Sequence, residues 1–77
     1  MIKAYVLLTL EVDKAEKVIK EIKKKIRNVI EAEEVTGPYD AIVSVKADNL
    51  RRLAKEIIPS IYKIDGVIDT TTAIVIE

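Results

Sequence analysis

Thr36-Gly37-Pro38-Tyr39-Asp40 brings together an acceptor carboxylate and a backbone that bends freely and is then held. Glycine supplies a permissive backbone, proline fixes its own φ, and aspartate accepts a backbone N–H inside a turn of this kind. These roles make a turn between two strands without any ligand, and they leave open whether the same turn also holds one. A second cluster is Thr70-Thr71-Thr72. In a strand the side chains of Thr70 and Thr72 fall on one side, so two hydroxyls offer donors and acceptors to a small polar ligand. Threonine also favours strands in its own right, and a β-branched run explains the same residues.

A third feature is basic. Lys14, Lys17, Lys20, Lys23, Lys24, Lys25 and Arg27 outnumber Glu16 and Glu21 over one stretch, as a phosphate-binding face would. No aromatic side chain interleaves with them for base stacking, and the rest of the chain is net acidic, so a solvated helix face is the simpler reading. The 13 basic and 13 acidic residues cancel, leaving no global field toward nucleic acid. There is no cysteine and no histidine, which removes disulfides, thiolate and imidazole metal sites, and the usual neutral-pH proton carrier. Ser44 and Ser60 lack a base, and Glu33 and Glu34 diverge as strand neighbours. No catalytic constellation is visible, no cofactor is implied, and the chain reads as a non-enzyme.

These candidates need a scaffold. Residues 2–11 alternate as a strand, with Ile2, Ala4, Val6, Leu8 and Leu10 on one face. Asp13 with Glu16 reads as a capping box for a helix whose stripe is Ala15, Val18, Ile19, Ile22 and Ile26. Glu16–Lys20 and Glu21–Lys25 have the favoured i,i+4 order. Residues 28–36 form a second strand whose alternation falters at Glu33-Glu34, as at a bulge or an exposed edge. Gly37-Pro38 breaks the run and residues 40–46 resume it, as in a hairpin. Asp48 or Asn49 caps a second helix with the stripe Leu50, Leu53, Ala54, Ile57, Ile58 and Ile61. Pro59 should kink it or start a new turn there. Asp65-Gly66 ends the helix, and residues 67–77 are the last strand.

The order β-α-β-β-α-β predicts an α+β, ferredoxin-like fold: a four-stranded antiparallel sheet with two helices on one face, in a single domain over residues 1–77. Two helices cover one side of the sheet only. Tyr5 and Leu7, joined by Ile42, Ile74 and Ile76 according to the parity each strand adopts, are expected to make the other side apolar, which predicts a dimer packed through the open faces. The 49% hydrophobic content is rich for 77 residues and points the same way. No segment is long enough for a membrane span and none has a signal-peptide pattern, so a cytoplasmic protein is expected. The Lys/Glu-heavy charge mix suits a thermophile.

Two motifs carry a resemblance. Thr36-Gly37-Pro38-Tyr39-Asp40, and the closing run Ile64-Asp65-Gly66-Val67-Ile68-Asp69-Thr70-Thr71-Thr72-Ala73-Ile74-Val75, resemble the effector-binding RAM domain of the Lrp/AsnC, or feast/famine, regulators over nearly the whole chain. The resemblance implies the same fold, a sheet-to-sheet dimer and a ring-like higher assembly. It also implies a small effector, usually an amino acid, bound between neighbouring dimers. Carried over by position, Gly37, Tyr39 and Asp40 form one wall of that site, and Thr70 and Thr72 contribute hydroxyls from another. Asp40 would meet the ammonium of a zwitterion, and backbone N–H groups of the Gly37 turn its carboxylate. Relatives carry an N-terminal helix-turn-helix. Here Met1 leads straight into the first strand, so a stand-alone member is expected, without direct DNA reading, that co-assembles with full-length regulators. The competing readings are a purely structural oligomer and a small cofactor-free enzyme on the same scaffold.

Overall fold

The computed structural model describes residues 1–76. Strands β1 (Ile2–Leu10), β2 (Val29–Glu34), β3 (Ala41–Ala47) and β4 (Val67–Ile74) form one antiparallel sheet in the order β2-β3-β1-β4. Helix α1 (Ala15–Lys25) follows a 3-10 turn at Val12–Lys14. Helix α2 spans residues 50–62 in three pieces: α-helical Leu50–Arg52, π-helical Leu53–Ile57 and α-helical Ile58–Tyr62. This is the expected ferredoxin-like βαββαβ sandwich, with both helices on one side.

The core lies between helices and sheet. Ala4, Val6 and Leu8 of β1 face Val45, Val43 and Ala41 of β3 across the ladder, and all six are fully buried. Val18, Ile19, Ile22 and Ile26 press down from α1, and Leu53, Ile57 and Ile61 from α2. Each fully buried aliphatic side chain of this size contributes roughly 1.5–3 kcal/mol of transfer free energy.

Several local expectations need correction. Asp13 does not cap α1: it sits inside the 3-10 turn, and no side chain caps either piece. The irregularity of β2 is not at Glu33-Glu34. The register shifts between Val29 and Glu31, so Ile30 is the extra residue. The strand does lie at an edge of the sheet. Leu50, 54% exposed, and Ala54 are not on the buried stripe of α2. The spacing of Leu53, Ile57 and Ile61 instead follows the wider π turn, in which the Ile58 N–H donates to Leu53 O, five residues back. Pro59 begins a new helical turn at that point, as its missing donor requires.

The open face is also redrawn. Tyr5, Leu7 and Ile42 are on it: Leu7 faces Ile42, and Tyr5 faces Ser44. Ile74 is not, because it pairs with Ala4 and so shares the helix side. Ile76 lies beyond β4 and is 97% exposed. Ala73, opposite Tyr5, and Thr71, opposite Leu7, take those places.

Asn49 does cap α2, its Oδ1 accepting the Arg52 N–H at 2.8 Å. Replacing Asn49 by Ala should cost about 1 kcal/mol, read as a lower urea midpoint with an unchanged denaturant slope.

Candidate ligand-binding site

Three hydrogen bonds fix the turn between β2 and β3. Val35 N–H donates to Asp40 O at 2.9 Å, closing the loop on itself. Asp40 N–H donates to Leu8 O at 2.8 Å. Leu10 N–H donates to Asp40 Oδ2 at 2.8 Å. The Asp40 carboxylate therefore does accept a backbone N–H, though from β1 rather than from within the turn. Gly37 has φ +139°, a conformation that side-chain-bearing residues rarely adopt.

The turn bounds a cavity of about 300 Å³. Gly37, Thr36, Val35 and Asp40 form one side; Leu10, Glu11, Val12 and Ala15, at the junction of β1 with α1, form the other; Glu34 closes the rim. Apolar side chains thus alternate with the carboxylates of Glu11, Glu34 and Asp40. The Nζ of Lys14 stands 3.7 Å from Glu11 and 3.0 Å from Asp65. Its hydrogen bond to Asp65, and then the charge of Asp65, hold the Lys14 ammonium above its ordinary range; the same bond holds the Asp65 carboxyl below its own.

Gly37 and Asp40 come together at this cavity, whereas Tyr39 is half-buried and does not line it. Thr70 and Thr72 share one side of β4, opposite Leu8 and Val6. They lie outside the cavity, and β1 separates Thr70 from Ala41 by two strand spacings, about 10 Å. Glu11 and Glu34 escaped the sequence reading. Nothing local marks a strand end and a distant hairpin as neighbours. The basic flank of α1 carries a wider depression of about 590 Å³, whose lysines and acids are interleaved, with Lys20–Glu16 and Lys25–Glu21 each 3.6 Å apart. Among the described residues no group of side chains is arranged to hold a metal ion, and no helix is long and apolar enough to cross a membrane.

An open-faced ferredoxin-like sandwich with an acid-bearing turn over a small cavity is the build of a small-molecule-binding domain. Residues 3–77 match the sequence model of the Lrp/AsnC ligand binding domain, and the chain belongs to that family. The fold is shared with TTHA0845 from Thermus thermophilus at a TM-score of 0.90 and 27% identity, covering 100% of this chain and 95% of that one. The hypothetical protein PHS023 from Pyrococcus horikoshii is similar at 32% identity and a TM-score of 0.88, covering 100% and 92%. The transcriptional regulator NMB0573 from Neisseria meningitidis, in complex with L-Met, has the same fold at 14% identity and a TM-score of 0.85; this chain is covered to 99% and spans 50% of the regulator. No curated protein matches the chain.

Proposed function

We propose that residues 1–77 form one effector-sensing and assembly unit, in which an amino acid or related metabolite binds at the Gly37–Asp40 turn and biases how copies associate. One observation carries the reading: Leu10 N–H holds one Asp40 oxygen at 2.8 Å, which orients the carboxylate at the cavity and leaves Oδ1 as an acceptor for an ammonium group. Backbone N–H groups of the Gly37 turn would meet the ligand carboxylate. Tyr39, Thr70 and Thr72 join the site from a neighbouring copy, since within one chain they do not line the cavity. The L-Met complex of NMB0573 supports an amino acid as the ligand class. In this reading the domain pairs through its open sheet faces, builds a higher-order ring, works in the cytoplasm without enzymatic activity, and alters transcription by co-assembling with DNA-binding relatives.

The Asp40–Leu10 bond alone would equally serve a scaffold that binds nothing, and Asp40→Asn separates the two. Asparagine still accepts from Leu10 N–H but carries no charge. Stability should hold within about 1 kcal/mol, while amino-acid affinity falls at least tenfold, because a charge-assisted hydrogen bond becomes a neutral one. Thermal shift and light scattering across the common amino acids supply the readout. If none of them moves the melting temperature or the mass of the unsubstituted protein, sensing is wrong and the scaffold stands.

A further inference from the structure

The charge around the Gly37–Asp40 cavity is one-sided. Among the described residues Glu11, Glu34 and Asp40 line it, and no lysine or arginine does. The three carboxylates are held differently. One oxygen of Asp40 accepts from Leu10 N–H at 2.8 Å. Glu11 has Lys14 Nζ at 3.7 Å, but that ammonium sits closer to Asp65, at 3.0 Å, and neither Lys14 nor Asp65 lines the cavity. Glu34 makes no ion pair among the described residues. It pairs with the fully buried Ala41 and shares its side of β2 with the buried Ala32, so it stands on the helix side of the sheet. That side is the place of apolar residues, and Glu34 meets the cavity there instead of the core. Leu10, Val12, Ala15 and Val35 supply an apolar wall between the acids.

We infer that the ligand of this cavity is an α-amino acid with a cationic side chain, of the lysine or arginine class, and that Glu34 selects it by pairing with the side-chain cation. This rests on the effector site proposed above and adds the chemistry of the ligand's side chain. The α-ammonium takes the free oxygen of Asp40, which leaves Glu11 and Glu34 for a second positive group. Lys14 already shares Glu11, so Glu34 is the carboxylate whose charge is unmet. The methylene groups between the two cations lie along the apolar wall, as the stem of a long basic side chain does. A neutral side chain of the same length meets that wall but leaves Glu34 unpaired. An anionic one is repelled by three carboxylates with no lining cation to offset them. The volume of about 300 Å³ lies at the lower end of ligand pockets, which run from roughly 300 to 1,000 Å³, and fits one amino acid better than a nucleotide.

Isothermal titration calorimetry of the full chain with L-lysine, L-arginine, L-norleucine, L-glutamate and cadaverine tests the inference. Norleucine has lysine's carbon chain without the terminal charge, and cadaverine has both ammonium groups without the carboxylate. Lysine or arginine should bind about tenfold or more tighter than norleucine, the size of one charge-assisted hydrogen bond, and glutamate should not bind. Glu34→Gln should weaken lysine and arginine about tenfold and leave norleucine unchanged, a split that a merely structural role for Glu34 would not produce. Asp40→Asn should weaken lysine and norleucine alike, since both carry the α-ammonium. Circular dichroism of both variants checks that the fold is kept. If norleucine binds within tenfold of both basic amino acids, or if Glu34→Gln leaves the ratio of lysine to norleucine affinity as it was, the selection by Glu34 is wrong although the effector site survives. Cadaverine binding as tightly as lysine would show that no ligand carboxylate is read, and would overturn the amino-acid site itself, as would silence from all five compounds.

Discussion

Gly66→Ala is expected to remove about 2–4 kcal/mol of stability, more than the same change at Gly37. Gly66 joins the end of α2 to β4 with φ +108°, where a Cβ strains the backbone by about 1–3 kcal/mol. Space compounds the strain. An added Cβ would stand 2.8 Å from Val18 Cγ2 and 3.0 Å from Lys14 Cβ. Val18 is fully buried in the core, so its methyl has nowhere to swing, and Lys14 Cβ moves only with the 3-10 turn that leads into α1. Backing Gly66 away is resisted as well, because its carbonyl accepts the Glu11 N–H at 2.9 Å and so ties β1 to the start of β4. Gly37→Ala is the internal control. Gly37 has φ +139° but no atom within 4 Å of the added Cβ, so it bears the backbone strain alone. Urea unfolding at one fixed protein concentration gives the comparison, since association would otherwise shift both midpoints. Equal losses at the two glycines would show that the contact of Gly66 with α1 is not a tight one.

What could be read in advance divides along physical lines. β1 was legible because one of its faces is wholly core: Ala4, Val6 and Leu8 must alternate with residues that are not. The stripe of α1 was legible for the same reason. β4 was not, because its parity depends on a bulge. The register shift at Thr9/Leu10 leaves Ile68 unpaired, and no propensity distinguishes that isoleucine from its neighbours. Ile74 consequently fell on the helix side, where the helices leave it 45% exposed. In α2 the sequence offered the cause but not the consequence. Pro59 announced a disturbance, yet a 3.6-residue period cannot anticipate that the turn before it widens over Leu53–Ile57, with Ala54 exposed between two buried residues. Asp13 and Glu16 have the spacing of a capping box, but the 3-10 turn already uses Asp13 as an interior residue. At the candidate site the turn chemistry was local and visible. The bond from Leu10 N–H to Asp40 spans 30 residues and exists only once β1 and β3 are paired.

If copies pair through the open face as proposed, Leu7→Glu should abolish that association while leaving each chain folded. Leu7 lies at the middle of the open face, between Ile42 of β3 and Thr71 of β4, on the side of the sheet away from the helices. In an isolated chain that side meets water, so a carboxylate there costs little, and the helix-side core of Val6, Leu8 and Val43 is untouched. In a stacked pair the same carboxylate enters the apolar centre, and symmetry supplies two of them. Each buried and unpaired charge costs several kcal/mol, enough to raise the dissociation constant at least a hundredfold. Far-ultraviolet circular dichroism should be unchanged, and sedimentation should move from the assembled species to a single chain. Chemical denaturation should then lose its dependence on protein concentration, because folding and association are no longer coupled. Thr71→Glu, on the neighbouring strand, should act in the same direction more weakly, since threonine gives up less apolar surface there. A Leu7→Glu protein that sediments as the unsubstituted one does would place the contact between copies elsewhere, and would leave Tyr5, Leu7 and Ile42 as solvent-facing residues of a sheet that needs no second layer.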